Sequence, residues 1–201
     1  MGTRRYDATG RRAAAEQRRR RVVAAAAERF GALGWTGTTS AAIAEAAGVS
    51  VEYLTKTFGG KAALLLAAIE QVGFEDHVDV ADAFAALGLD AVPPEDRLEA
   101  VVDFTCDTLE RLAPLVPVLV VGAEQNAALR DAMLAARDAH VRSATAAVRL
   151  LAGGAAPRDA VDEVYVLTRA ETYLAFVDQR GWDRARYAAW LRRALRHAAT
   201  G

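Results

Sequence analysis

Between Thr38 and Lys61 the chain gathers hydroxyls, a carboxylate, a phenol and two amines. They belong to Thr38, Thr39, Ser50, Glu52, Tyr53, Thr55, Lys56 and Lys61, with Val51 among them. Such groups exchange hydrogen bonds with base edges, and the hydroxyls and amines also meet phosphate oxygens. The rest of the sequence offers little for bond-making chemistry. His77, His140 and His197 are its only histidines and Cys106 its only thiol. No nucleophile elbow, phosphate loop, dinucleotide fingerprint or paired-histidine metal motif occurs. The chain is therefore expected not to be an enzyme, and no cofactor and no metal is expected. Glu75, Asp76, His77, Asp79 and Asp82 form an acidic run, which reads as a solvated helix face.

Positioning those groups requires a particular arrangement of elements. Thr36 to Lys61 reads TGTTSAAIAEAAGVSVEYLTKTFGGK: a helix, a tight turn at Gly48-Val49-Ser50, and a very short second helix. Glycine takes the left-handed conformation that ends one helix, and serine caps the next. Ala44 is small enough to let two helices cross closely, and Ile43, Val49 and Leu54 are spaced to meet between them. This is the helix-turn-helix pattern, whose second helix enters a DNA major groove. Thr38-Thr39 caps the first helix, where outward-pointing N–H groups also suit a phosphate. The second helix, Val51 to about Thr57, is too short to stand alone in water. If Leu54 faces inward, Glu52 and Lys56 face outward. Tyr53 and Thr57 then lie along one flank, Val51 and Thr55 along the other. The plain alternative for Glu52 and Lys56 is a surface pair worth a few tenths of a kcal/mol. Lys61 opens the next helix against the helix dipole, a cost that makes sense with a phosphate in front of it.

Charge follows the same division. Residues 1–61 hold eleven Lys/Arg against five Asp/Glu, or +6; the remainder holds fourteen against twenty-one, or −7. A cationic head on an anionic body is the footprint of nucleic-acid binding by the head. Residues 1–15 read as a mobile basic arm. A helix from Arg18 to Leu33 follows, with Val22, Val23, Ala26, Phe30 and Leu33 on one stripe, and Gly34 ends it. Four consecutive arginines, Arg18 to Arg21, cannot share one face.

The whole chain has 201 residues, 53% of them hydrophobic, which suits packed helices. No apolar run approaches the ~18 residues a membrane span needs. The basic N-terminus lacks the apolar stretch of a secretory signal, and a lone cysteine excludes an internal disulfide. The cytoplasm is the simplest compartment. Residues 63–201 read as helices punctuated by Gly and Pro. One is predicted to start at Pro93-Pro94-Glu95-Asp96. An apolar piece from Leu115 to Val121 is framed by Pro114 and Pro117 and ends near Gly122. A long helix runs from Asn126 to Gly153-Gly154. The last two run from Pro157 to about Gln179 and from Asp183 to about His197. Both carry apolar residues on more than one stripe, and one core cannot cover them all, so a second copy of the chain is the natural partner.

From about Glu16 to Leu66 the sequence resembles the head of TetR (tetracycline-repressor) family transcriptional regulators. Ala25, Phe30, Gly34, Trp35, Thr38, Thr39, Ile43, Ala44, Ala47, Gly48, Val49, Ser50, Leu54, Phe58, Lys61 and Leu64 carry the likeness. Thr55 departs from it, since the family usually has a backbone-contacting Tyr there; here a Tyr stands two positions earlier, at Tyr53. The resemblance implies an all-α fold. Residues 16–62 would form the helix-turn-helix DNA-binding domain and residues 63–201 a helical ligand-binding and dimerisation domain. It implies a cytoplasmic homodimer, paired through the last two helices, that represses transcription from a palindromic double-stranded DNA operator. A small hydrophobic ligand would release it, and no membrane is involved. A ligand pocket among the helices of residues 62–180 would be lined by Phe104, Thr108, Leu119, His140, Tyr165, Thr168 and Tyr173. The alternative is a helical dimeric ligand-binding or interaction protein with weakened DNA binding.

Overall fold

The computed structural model describes residues 8–73, 88–89 and 91–200. The acidic run from Glu75 to Asp82 lies outside the described residues. Those described form helices and no strand, and none of the helices is long and apolar enough to cross a membrane. The chain divides into two compact units, one reaching to Ala68 and the other beginning at Ile69.

The first unit holds α1 (Ala8–Gly37), α2 (Ser40–Ala47), α3 (Val51–Phe58) and the start of α4 (Lys61–Gly73). Helix α1 already includes Ala8 to Ala15, where the sequence suggests an arm; alanine and arginine both favour the helical state. Gly34 breaks its regular course with φ 67° and ψ −173°. That combination is open essentially to glycine alone. Val22, Val23, Ala26 and Phe30 of α1 are buried, as are Ile43 and Ala44 of α2 and Leu54 of α3. Gly48 (φ 66°, ψ 40°) ends α2, donating its N–H to the Ala44 and Glu45 carbonyls. The Val49 N–H reaches the same Ala44 carbonyl at 2.9 Å. The turn is therefore closed by backbone bonds, and α3 leaves it at a fixed angle to α2.

In the second unit α5 (Arg97–Leu112) starts later than expected. Pro93 and Pro94 sit in a preceding turn, closed by the Asp96 N–H on the Pro93 carbonyl at 2.9 Å. A 3-10 turn, Ala113–Leu115, leads into α6 (Val116–Gln125). Pro117 costs no hydrogen bond there, because first-turn N–H groups have no helical acceptor. Gly122 does not end α6; it is buried within it. Asn126 caps α7 (Ala127–Ala152), its side-chain oxygen accepting the Leu129 N–H at 3.2 Å, and Gly153 ends it at φ 71°.

The predicted helix from Pro157 to Gln179 is two helices, α8 (Arg158–Leu167) and α9 (Ala170–Val177). Arg169, extended at φ −70° and ψ 146°, makes the break. No proline or glycine marks this site, so nothing local in the sequence announced it. Side chains satisfy the carbonyls it frees. The Thr172 hydroxyl donates to the Val166 carbonyl at 2.7 Å, and the Tyr187 hydroxyl to the Leu167 carbonyl at 3.4 Å.

Helix α10 (Arg184–Thr200) buries Tyr187, Leu191, Leu195 and Ala198 at helical spacing. They join a core with Val102 and Cys106 of α5, Val148 of α7 and Val164 of α8. Each buried aliphatic side chain there stabilises the fold by about 1.5–3 kcal/mol. Arg184 pairs with Asp107 and Glu110, and Arg192 with Glu99, so two arginines tie α10 to α5.

Candidate nucleic-acid interface and ligand cavity

Helix α3 is set from both ends. The Ser50 side-chain oxygen accepts the Tyr53 N–H at 3.1 Å, and Gly59 (φ 89°) closes the other end on the Thr55 carbonyl. Leu54, fully buried, anchors its inner face. Glu52, Thr55, Lys56 and Thr57 are exposed, as is Val51, while Tyr53 is half-buried. The outward set is therefore the one expected from the spacing around Leu54. The Thr55 hydroxyl donates back to the Val51 carbonyl at 3.1 Å, which leaves it acceptor capacity but no free proton. At α2, Thr39 is the cap, accepting the Ala42 N–H at 3.1 Å, and its side chain lies at the surface.

Thr38 departs from expectation. It is only 1% exposed, and its hydroxyl faces the Arg29 and Gly34 carbonyls at 3.0 and 2.8 Å. A hydroxyl spent on the chain's own backbone is a strut across the Gly34 break, not a contact offered outward. Lys61 is held too. Its amine donates to the Trp35 carbonyl and lies 4.0 Å from the centre of the Trp35 ring. Burial lowers its pKa from the ordinary lysine value, and Trp35 in turn stacks on Phe30 at 6.1 Å.

The arginine run divides its work in a way the sequence did not reveal. Arg18 lies 5.8 Å from the Tyr53 ring centre and Arg19 4.8 Å from that of Phe58, whereas Arg20 pairs with Glu16 at 3.4 Å. Two guanidinium groups of α1 thus back the aromatic residues of α3. Helical spacing shows which residues share a face of one helix, but not which ring another helix brings beneath them.

A cavity of about 260 Å³ opens in the second unit. Phe104, Thr108, Leu119, His140, Tyr165 and Thr168 all line it, so six of the seven expected residues are brought together. Tyr173 is not among them. It is buried edge-on against Tyr187, ring centres 5.0 Å apart, as part of the core. The cavity wall also includes Met133, Arg137, Ser143, Arg169 and Glu171, which the sequence reading missed. Arg169 and Glu171 enter through the α8–α9 break, and a continuous helix would have kept residues two apart on different faces.

Polar groups in this wall are mostly committed. The Arg169 Nη2 and Glu171 Oε1 are 2.5 Å apart and the Nε–Oε2 bond is 3.1 Å, so the two charges cancel locally. His140 Nε2 lies 2.9 Å from the Thr168 hydroxyl oxygen, whose own proton goes to the Val164 carbonyl at 2.8 Å. Thr168 therefore accepts, and the imidazole carries its proton on Nε2. Burial, with help from the Arg169 charge, pushes the His140 pKa down to about 4. Arg137 is exposed and meets only the Met133 sulfur, at 4.0 Å; among the described residues one buried polar atom of the wall, the Thr108 hydroxyl oxygen, has no hydrogen-bond partner.

These geometries agree with what the chain resembles. Residues 22–68 match the family model described as bacterial regulatory proteins, tetR family. Among solved structures, an alanine-substituted mutant of HlyIIR superposes with a TM-score of 0.53 at 15% identity, covering 90% of this chain and 97% of that one. A protein assigned to the TetR family of transcriptional regulators, from Mesorhizobium loti MAFF303099, gives a TM-score of 0.56 at 19% identity, with 92% and 94% covered. Identities this low speak for the fold alone. No curated protein gives a significant match. The family match falls on the unit that carries the capped α2–α3 turn, so it is this head, residues 22–68, that carries the tetR-family sequence pattern, while the fold likeness spans both units.

Proposed function

We propose that the chain is a ligand-responsive transcriptional repressor that binds a palindromic operator as a homodimer. The observation that carries this is the exposed face of α3, where Glu52, Lys56 and the flank of Tyr53 stand out from a helix capped at both ends. Tyr53, Glu52 and Lys56 meet base edges and phosphates in the major groove, with Val51 and Thr55 against the groove wall. Ser50 and Thr39, at helix starts, sit where phosphate oxygens are favoured. Lys61, fixed in place by Trp35, offers its remaining N–H donors to a phosphate.

Two heads in a dimer paired through the last helices would read half-sites about 34 Å apart. A small hydrophobic ligand in the cavity would favour the arrangement that does not fit DNA. The test is binding to duplex DNA selected from a random pool, measured across salt concentrations. A palindromic consensus and a steep fall of affinity with salt are expected. Shallow salt dependence without sequence preference would overturn the proposal. That result would instead favour a helical dimeric ligand-binding protein with weakened DNA binding, a reading supported by the Thr55 hydroxyl being turned back onto its own helix.

A further inference from the structure

The cavity wall is specific about what it leaves open. Thr108 is 9% exposed, yet its hydroxyl oxygen finds no partner. A buried hydroxyl without a hydrogen bond is destabilising, because it has given up water and gained no partner. Its usual remedy on a helix is the carbonyl one turn back, and Thr105 on the same helix takes it, donating to the Val101 carbonyl at 2.7 Å. Thr108 does not, and it borders the cavity.

The less exposed charges of the wall are already paired. Arg169 is neutralised by Glu171. His140 spends its Nε2 proton on Thr168, so the Nδ1 atom left on the ring is an acceptor. The ring packs on Tyr165 with centres 4.6 Å apart, and Phe104, Leu109 and Leu119 complete an apolar surround. The wall cation that pairs with no carboxylate among the described residues, Arg137, is exposed, so a carboxylate buried beside Thr108 would lose its water for a charge that solvent screens. A pure hydrocarbon would leave Thr108 as it is.

We infer that the cavity takes an uncharged, largely apolar ring compound carrying one hydrogen-bonding oxygen, which the Thr108 hydroxyl receives. This rests on the ligand-responsive reading above and narrows the ligand class. The probes are 2-naphthol, naphthalene and 2-naphthoate, which share a ring system and differ at one polar group. Binding to the full-length protein is measured by calorimetry. Naphthol binds about tenfold more tightly than naphthalene, the scale of satisfying one buried hydroxyl, and naphthoate binds more weakly than either.

In Thr108→Val the shape is kept and the unpartnered oxygen is gone, so the fold is retained or strengthened. Naphthol and naphthalene then bind alike, while naphthalene affinity stays at its original value. Tightest binding by naphthoate, a naphthol preference that survives Thr108→Val, or no binding by any probe up to its solubility limit would each overturn the assignment. Release of duplex DNA by naphthol is read in a separate titration. Binding in the expected order without release sinks the ligand-responsive reading and leaves the Thr108 assignment standing.

Discussion

Thr38 shows how one residue can satisfy a pattern for a reason other than the one first suggested. Its place beside Thr39 suited a cap or a phosphate, yet its hydroxyl bridges the Arg29 and Gly34 carbonyls inside the head. Thr38→Val should therefore destabilise the protein by about 1 kcal/mol in denaturant melts, while Thr38→Ser should retain most of the stability. Neither should change the salt slope of DNA binding. His140 makes a second residue-scale prediction. Its pKa of about 4 in the fold lies below the ordinary 6.5, so between these values the unfolded chain binds more protons. Arg169 disfavours the imidazolium, Glu171 favours it weakly, and burial dominates. The resulting stability is complete above pH 6.5 and is lost as pH falls toward 4, a change of about 2–3 kcal/mol. Urea melts at pH 5 and 7.5 should show it, and His140→Gln should reduce the difference. An unchanged difference in that variant would place the titration elsewhere.

At the scale of elements, what could be read from the sequence was whatever local chemistry decides. Gly48, Ser50 and Gly59 set the ends of α2 and α3 through their own conformations and side chains, and Asn126 and Gly153 did the same for α7. The apolar period around Leu54 was enough to orient α3. The α8–α9 break was not legible, because it is held by groups remote in sequence: His140 on Thr168 and Tyr187 on the Leu167 carbonyl. The start of α5 was misjudged for a different reason. A proline pair followed by acids suits a helix start and a turn equally, and backbone bonding decided for the turn. The cavity candidates were legible as apolar and hydroxyl-bearing positions facing one core, and Tyr173 failed because core and cavity walls have the same composition. Two glycines of the head, Gly48 and Gly34, separate cleanly in a test. Gly48 is in the ordinary left-handed region, which asparagine tolerates; Gly34, at ψ −173°, is not. Gly48→Asn should cost a few tenths of a kcal/mol to about 1, and Gly34→Asn about 1–3, read as shifts in the denaturant midpoint.

For the whole molecule, the proposed pairing of two copies makes the sharpest demand. Among the described residues of the last three helices, one large apolar side chain stands exposed, and it is on α8. Val166 on α8 is 55% exposed, the most exposed of the large apolar side chains described. Within the chain its backbone carbonyl is engaged, accepting the Thr172 hydroxyl and the Arg169 N–H, while its side chain lies outside the buried core. Val166→Glu should therefore leave the melting of an isolated chain within about 0.5 kcal/mol of the parent. If α8 is part of the pairing surface, the same change buries a charge against a second copy, which is strongly unfavourable without a partner. Sedimentation should then show a dimer for the parent and a monomer for the variant. DNA binding should respond in a characteristic way. A monomer carries one cationic head, so the number of phosphates neutralised falls by about half, and the slope of log affinity against log salt falls with it. Affinity for one half-site would persist while the preference for a palindrome disappears. A variant that stays dimeric would move the pairing surface away from Val166. A parent that sediments as a monomer would remove the two-headed reading altogether.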